Sequence, residues 1–403
     1  MRINKYLPFA FIYFFVNSLF LPFGLTYTTL LAPLFYIWIL LIRKKEVVLP
    51  FLAVLAPFIL VQVLFVGVVR KEYFVSLLNI VLIYISCQAV YTFFKVCKDP
   101  ETVFRKILVI NFILCIAAIV LYFTPFVSWV WIRQYLTEGV VSFRRLKLFT
   151  YEASYYATLF VPIFCFYFLQ YFFRQNKIKG WILSVMIFLP YLLSFSIGVM
   201  GSLFIAGILT YLIYFGRLTK KRRVFNGIVL GGSLSLVIIW PLLFFFNNNI
   251  LFSRIVNFFS GRDTSGKGRL YDAYIIAQKL LREKNEYWGV GIGQIKIMGE
   301  DIIRSYYLYD MNYVISIPNA VAETWAIFGW VGVTLRIFIE IFLFFYTKVW
   351  MNYYRLWLFF FVFIYQFTGS FITNMAEYVI WILAFTNVFR QFDTRAQGDS
   401  KNP

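Results

Sequence analysis

The sequence predicts an all-α, polytopic membrane protein of about twelve transmembrane helices, with one large polar loop between the ninth and tenth. Three observations predict it. The 403 residues are 62% hydrophobic, 22% aromatic and only 14% charged, a composition that belongs in a bilayer. About twelve apolar runs have lengths of roughly 17 to 25 residues, which fit the ~30 Å hydrocarbon core. A polar, charge-dense segment from Asn247 to Asn319 interrupts them once.

In chain order the runs lie near 6–22, 26–42, 47–69, 74–94, 107–125, 152–173, 180–196, 199–216, 227–246, 321–347, 354–372 and 375–390. Ser194 to Gly198 reads as a tight hairpin between the short seventh and eighth runs. Short cytoplasmic loops retain Lys and Arg. Arg43 to Lys45, Lys95 with Lys98, Arg174 with Lys177 and Lys179, Arg217 to Arg223, Lys348 with Arg355, and the tail after Arg390 all share one side if both termini are inside. The expected topology is therefore N-in, C-in. Spans one to nine occupy 1–246, the outer loop 247–320, spans ten to twelve 321–391 and a cytoplasmic tail 392–403. The first run is too long for a signal-peptide core and no A-x-A site follows it, so it is expected to stay as a helix.

Two outer segments go against this charge bias. Phe126 to Thr150 carries Arg133, Arg144, Arg145 and Lys147. The large loop holds nine Lys/Arg against seven Asp/Glu, with Arg254, Arg262, Lys267 and Arg269 early in it. Cations kept outside point to an anionic partner such as phosphate, which guanidinium groups bind well. Each taken singly is equally a solvated loop charge; Arg145, Arg262 and Arg269 as a set read as functional.

Absences narrow the chemistry. The chain has no histidine, which excludes Ser-His-Asp catalysis, histidine metal sites and imidazole acid–base work. Cys87, Cys97, Cys115 and Cys165 fall in or at the ends of apolar runs without metal-ligand spacing. Structural zinc and an external disulfide framework are thus not expected, nor is any cofactor or nucleic-acid partner. A general base has to be a carboxylate, and charge must be stabilised by Arg, Lys or backbone dipoles.

Within the large loop, Asn247 to Asn249 marks the membrane exit and Gly261 to Gly266 is turn-rich. From Arg269 to Lys284 the apolar positions Leu270, Tyr274, Ala277, Leu280 and Leu281 recur at helical spacing, predicting an amphipathic helix lying across the membrane surface as a lid. Trp288 to Gly293 then predicts a flexible glycine turn. Its likeness to a dinucleotide fingerprint is superficial, since no strand precedes it and no βαβ unit follows. Ionisable residues inside spans are costly. Arg336 and Glu340 stand four apart and read as a structural ion pair, whereas Glu152, Glu323 and Glu377 sit at outer ends of spans, level with the cationic loops.

Several of these residues carry a resemblance. RRLKLFTYEASYYA, from Arg144 to Ala157, resembles the Arg-then-Glu signature that enters a central span in polysaccharide polymerases of the O-antigen polymerase and ligase superfamily. Arg145 and Glu152 stand seven apart, as there, with Ala153 where a Pro usually follows. The segments LSFSIGVMGS (193–202), SGRDTSGKGRLYDA (260–273), WGVGIG (288–293) and TGSFITNMAEY (368–378) are similar to that family in the same order. Ligases of the superfamily carry a His, then Asn, Ser or Gln, nine residues, Gly, two residues, and Gly, Thr or Tyr. Asn319, Gly329 and Gly332 keep that frame, but Pro318 stands at the histidine position, which favours the polymerase branch.

The resemblance implies a metal-independent glycosyltransferase of GT-C-like architecture in the bacterial inner membrane, its active site facing the periplasm. Such an enzyme polymerises undecaprenyl-pyrophosphate-linked oligosaccharide repeat units for a surface polysaccharide such as lipopolysaccharide. The growing chain passes to the non-reducing end of the incoming unit. A chain-length regulator and a flippase are implied partners, beside membrane lipid. In this frame Arg145, Arg262 and Arg269 clamp the pyrophosphate, and Glu152 is the base or the acceptor orienter. Arg144, Lys267, Asn319, Glu323 and Glu377 are substrate-binding candidates. Tyr306, Tyr307, Tyr309 and Tyr313 are candidates for stacking on sugar, Tyr306 and Tyr313 foremost, although most of the 29 Tyr, 50 Phe and 11 Trp belong to lipid-facing or interfacial surface. The rival readings are a lipid-linked sugar flippase and a ligase working without the histidine.

Overall fold

The computed structural model describes residues 7–18, 21, 25–135, 142–173, 180–218, 264–307 and 316–394. Every predicted apolar run overlaps a helix except the ninth, at 227–246, which lies outside the described residues. In chain order the longer helices are α1 (Leu7–Val16), α2 (Ala32–Arg43), α3 (Val48–Val66), α4 (Arg70–Val96), α5 (Pro100–Leu121), α6 (Ala153–Phe172), α7 (Gly180–Ser194), α8 (Ile197–Leu218), α9 (Ala273–Arg282), α10 (Ile295–Tyr307), α11 (Ala320–Tyr346), α12 (Tyr353–Thr368) and α13 (Met375–Phe385). Six of them, α3, α4, α5, α6, α8 over Ile197–Tyr214, and α11, are long and apolar enough to cross a membrane. The chain is a predominantly helical membrane protein.

Starts and stops follow local chemistry. Asp99 caps α5 by accepting from the Thr102 amide at 3.0 Å, with Pro100 in the first turn, where its missing N–H costs nothing. Asn319, Asn352 and Asn374 cap α11, α12 and α13 in the same way. Between α7 and α8, Phe195 takes φ 45°, making the tight hairpin expected there.

The helices differ in what surrounds them. In α6, 83% of the apolar window is buried inside the protein, against 11% in α3. So α6 is the central post and α3 is left for lipid. Around α6, side chains of α1, α4, α5, α7, α8, α12 and α13 form one continuous core. A second core joins α9, the glycine turn, α11 and the facing sides of α3 and α4.

Three features depart from the sequence reading. First, the 126–150 segment is not only loop: β1 (Trp131–Tyr135) pairs antiparallel with β2 (Ser142–Leu146), Ile132 opposite Arg145, so the fold is not purely α. Second, the lid helix is rotated. Residues Gly268–Asp272 form a wide π turn before α9, and this five-residue turn shifts the register. Ala273 and Ile276 therefore join Ala277, Leu280 and Leu281 in the core, while Leu270 is exposed.

Third, the glycine turn is a clamp and not a flexible connector. Helix α11 breaks at Gly329, which has φ 64° and ψ −163°. A break inside a helix orphans backbone donors and acceptors. The turn satisfies them: the amides of Val290 and Gly291 donate to the carbonyls of Ala326 (2.9 Å) and Ile327 (3.1 Å), and those of Trp330 and Val331 donate to Glu286 and Tyr287, both at 3.1 Å. Gln62 of α3 adds two more bonds, to Trp288 O at 2.9 Å and Ile327 O at 2.8 Å. A Cβ at Gly289 would lie 2.2 Å from Ile327 O, and one at Gly329 2.3 Å from Tyr287 O, so both positions need glycine for space as well as for positive φ.

Candidate active site

Three helix N-termini and one C-terminus meet around a small cleft lined by Glu152, Tyr155, Arg269, Pro318, Tyr365, Asn374 and their neighbours. Helix α6 starts just after Glu152, α11 just after Asn319 and α13 just after Asn374, while α12 ends at Thr368. N-termini carry partial positive charge, and at α6 no side chain caps the first amides, so their meeting favours an anion.

Glu152 occupies the N-cap position of α6, but its side chain accepts no helix amide. Its carboxylate instead takes the Ser154 hydroxyl and faces Arg269, Nη2 to Oε1 3.7 Å. The approach to Glu152 is held by Thr150, whose hydroxyl donates to Lys147 O at 2.7 Å and Glu152 O at 2.8 Å, and by Ser18, whose amide donates to Phe149 O at 3.1 Å. On the other wall, Asn319 Nδ2 donates to Arg269 O at 2.9 Å and to Phe367 O at 2.7 Å, fixing the backbone of the arginine to the end of α12. The Glu152 and Arg269 side chains are 31% and 27% exposed and share one long contact. Such a pair contributes about 0–1 kcal/mol to stability, and among the described residues it is the one ion pair that engages this guanidinium.

A second charged group lies next to this cleft and is saturated. Arg336 of α11 donates to Glu377 Oε1 at 2.6 Å, Glu340 Oε1 at 3.1 Å, Gln366 Oε1 at 2.8 Å and Thr324 Oγ1 at 3.0 Å. Gln366 Nε2 donates back to Glu340 Oε2 at 2.7 Å, and the Ser370 hydroxyl donates to Glu377 Oε2. Ser370 itself sits at φ 71°, a rare backbone for a non-glycine residue, and it lines the cleft. The segment 368–378 therefore forms one wall of the cleft and one side of the ionic network.

The remaining predicted residues fall as follows. Arg145 is buried on β2, and its Nε donates to Ser194 O at 2.8 Å, capping the carboxyl end of α7. It does not line the cleft with Glu152. Arg144 lies over the Tyr122 ring at 4.9 Å and donates to Tyr122 O at 3.0 Å. Lys267 is exposed in the short helix Thr264–Lys267. Glu323 accepts from the Ile372 amide at 2.6 Å, tying α11 to the cleft wall, and Glu377 belongs to the Arg336 network. Tyr306 donates to Asp272 Oδ1 at 2.8 Å beneath the Lys279 ammonium, within the lid. Arg262, Tyr309 and Tyr313 lie outside the described residues. Burial lowers the pKa of Lys147, which is half-buried beside β2.

The sequence reading did not single out Tyr151, Tyr155, Tyr365, Ser370 or Asn374 of the cleft, nor Thr324 and Gln366 of the network. The one local signal was an Asn immediately before an apolar run, at 319 and again at 374, which marks an N-cap. Among the described residues no three His, Cys, Asp or Glu side chains come together as metal ligands. Neither the protein-family models nor the curated proteins compared with this sequence match it.

Proposed function

We propose that this protein is a twelve-span, N-in and C-in glycosyltransferase of the bacterial inner membrane that polymerises lipid-pyrophosphate-linked repeat units at the periplasmic face. The observation that carries the reading is the meeting of Glu152 and Arg269, far apart in sequence, at a cleft ringed by helix N-termini. The pair unites two of the segments that carry the resemblance to the polymerases.

The chemistry is the one that the resemblance implies. A hydroxyl of the incoming unit attacks the anomeric carbon of the growing chain, and the bond to the lipid pyrophosphate breaks with its electron pair left on the departing phosphate oxygen. Arg269 and the helix N-termini stabilise that charge; fixed donors of this kind contribute about 10²–10³ in rate each. Glu152 is placed to take the hydroxyl proton or to aim Arg269. Arg145 supports the site indirectly, by holding the β-hairpin on the α7–α8 turn. Pro318 lines the cleft at the position where the ligases carry histidine, and proline has no proton to exchange. This favours the polymerase over the ligase.

The test is the surface polysaccharide ladder of cells whose only copy carries Arg269→Ala, with expression verified. Collapse to a single repeat unit on its acceptor is expected, since export and ligation would continue. Complete loss of surface sugar would instead indicate a flippase or ligase, and an unchanged ladder would reduce Arg269 to a solvated charge.

A further inference from the structure

The hairpin sets two arginines directly opposite each other, Arg133 on β1 and Arg144 on β2. Cross-strand partners project from the same face about 5 Å apart, and like charges in that position destabilise the pairing. Nothing acidic offsets them. Among the described residues from 122 to 151 there is no Asp or Glu, and neither arginine enters an ion pair. Arg144 is also held in place, by its bond to Tyr122 O at 3.0 Å and by the Tyr122 ring 4.9 Å away, so it is not free to swing clear of Arg133. An anion between the two cations turns the repulsion into charge-assisted hydrogen bonds.

The surroundings identify the anion. The next pair on this face is Trp131 and Leu146, both buried, and the Trp131 indole donates to Ala118 O at 2.8 Å, which fixes the hairpin to the end of α5. Helix α5 is long and apolar enough to cross a membrane. Directly after it Phe123, Phe126 and Trp129 are exposed, Phe123 to 83%. Exposed aromatic rings at the end of a membrane-crossing helix belong to the interfacial belt, level with lipid headgroups. The arginine pair joins that belt through Tyr122, whose ring carries Arg144 and packs 5.3 Å from Phe123 and 5.2 Å from Trp131.

We infer that Arg133 and Arg144 bind the phosphate of an anionic phospholipid, such as phosphatidylglycerol, whose acyl chains lie against the exposed rings beside them. A free phosphate would meet the cations but make no use of those rings, whereas a lipid uses both. Arg145, the next residue along β2, projects from the other face and is held by Ser194 O, so the lipid site and the attachment of the hairpin to α7 are separate. Arg144 thereby has a ligand of its own away from the cleft, which it does not line.

The experiment uses the full-length protein purified in a neutral detergent, with phosphatidylglycerol and phosphatidylcholine of the same acyl chains as probes and the melting temperature as readout. Phosphatidylglycerol is expected to stabilise the native protein, and phosphatidylcholine to leave it unchanged. Arg133→Gln removes one cation of the pair from an exposed position. Without lipid this variant should melt at or above the native temperature, because the repulsion is relieved. Its half-maximal phosphatidylglycerol concentration should rise about fivefold, and Arg133→Lys should restore it. Lys71→Gln removes the same charge from the exposed start of α4 and should keep the native response. Equal stabilisation of the native protein and Arg133→Gln by phosphatidylglycerol overturns the inference, as does an equal loss in Lys71→Gln or equal stabilisation by phosphatidylcholine. Inorganic phosphate that reproduces the lipid's effect overturns it too, since the site would then take a free anion. So does Arg133→Gln melting below the native protein without lipid, which would show that the pair does not repel.

Discussion

The protein contains two arginine–glutamate sites that lie side by side and are built for different ends. Arg336 is wrapped by two carboxylates, an amide and a hydroxyl, and with them joins α11, α12 and α13. Arg269 touches Glu152 once, at 3.7 Å, with both side chains partly open to the cleft. A saturated buried charge has no donor left for a ligand, and removing its partner strands a charge in a low dielectric. An under-coordinated charge at a cleft contributes little to folding and is available for binding. The contrast separates a structural lock from a candidate site more clearly than residue type does.

Breaking the lock has the largest effect on folding. Arg336→Met leaves Glu340 and Glu377 buried together without their cation, at a cost of about 3–5 kcal/mol. Little folded protein is expected in the membrane, which detergent extraction followed by size-exclusion chromatography will read. A variant that folds normally would show that the network is dispensable.

The next effect down is that of the clamp supporting both sites. Gly329→Ala places a Cβ 2.3 Å from Tyr287 O and asks a side chain to hold φ 64°. Overpacking and left-handed backbone together cost roughly 2–4 kcal/mol. A lower melting temperature is expected, with any residual activity intact per folded molecule. Asn319→Ala comes after it. The variant loses the α11 cap, worth about 1 kcal/mol, and also frees the Arg269 backbone, so activity should fall further than stability does.

Changes at the open pair should be smallest in stability and largest in activity. Arg269→Ala is expected to shift stability by no more than about 1 kcal/mol while reducing polymer formation about 10²–10³-fold. A drop in stability as great as that of Arg336→Met would erase the distinction between the two sites. Glu152→Gln sharpens it further. It abolishes polymerisation if the carboxylate takes the proton, and leaves the ladder largely intact if Glu152 only aims the arginine.

The sequence alone made the helices legible, because apolar runs of bilayer length and Asn or Asp caps are local signals. It also isolated Glu152 and Arg269 as charged residues in segments expected on the outer side, and read Arg336 with Glu340 as structural. It did not separate Arg145 from Arg269. Both are arginines in similar company by sequence, yet one is buried against Ser194 and the other faces Glu152. Nor did it place Glu377, whose helix-end position looks like that of Glu152 until α11 brings Arg336 against it.

The glycine run shows the same limit. Composition alone suggested a loose turn; the break at Gly329 accounts for Gly289, which packs on Ile327, whereas Gly291 packs on Val68 and Gly293 on Glu72 and Ser76, and all three take positive φ. Membrane residence, helix positions and the available chemistry are properties of single segments, so hydropathy, capping and the absence of histidine determined them without any fold. Which charges are saturated and which face a cleft depend on contacts between residues tens to hundreds apart. Those contacts are set by how the helices pack around α6, and only the tertiary structure decided them.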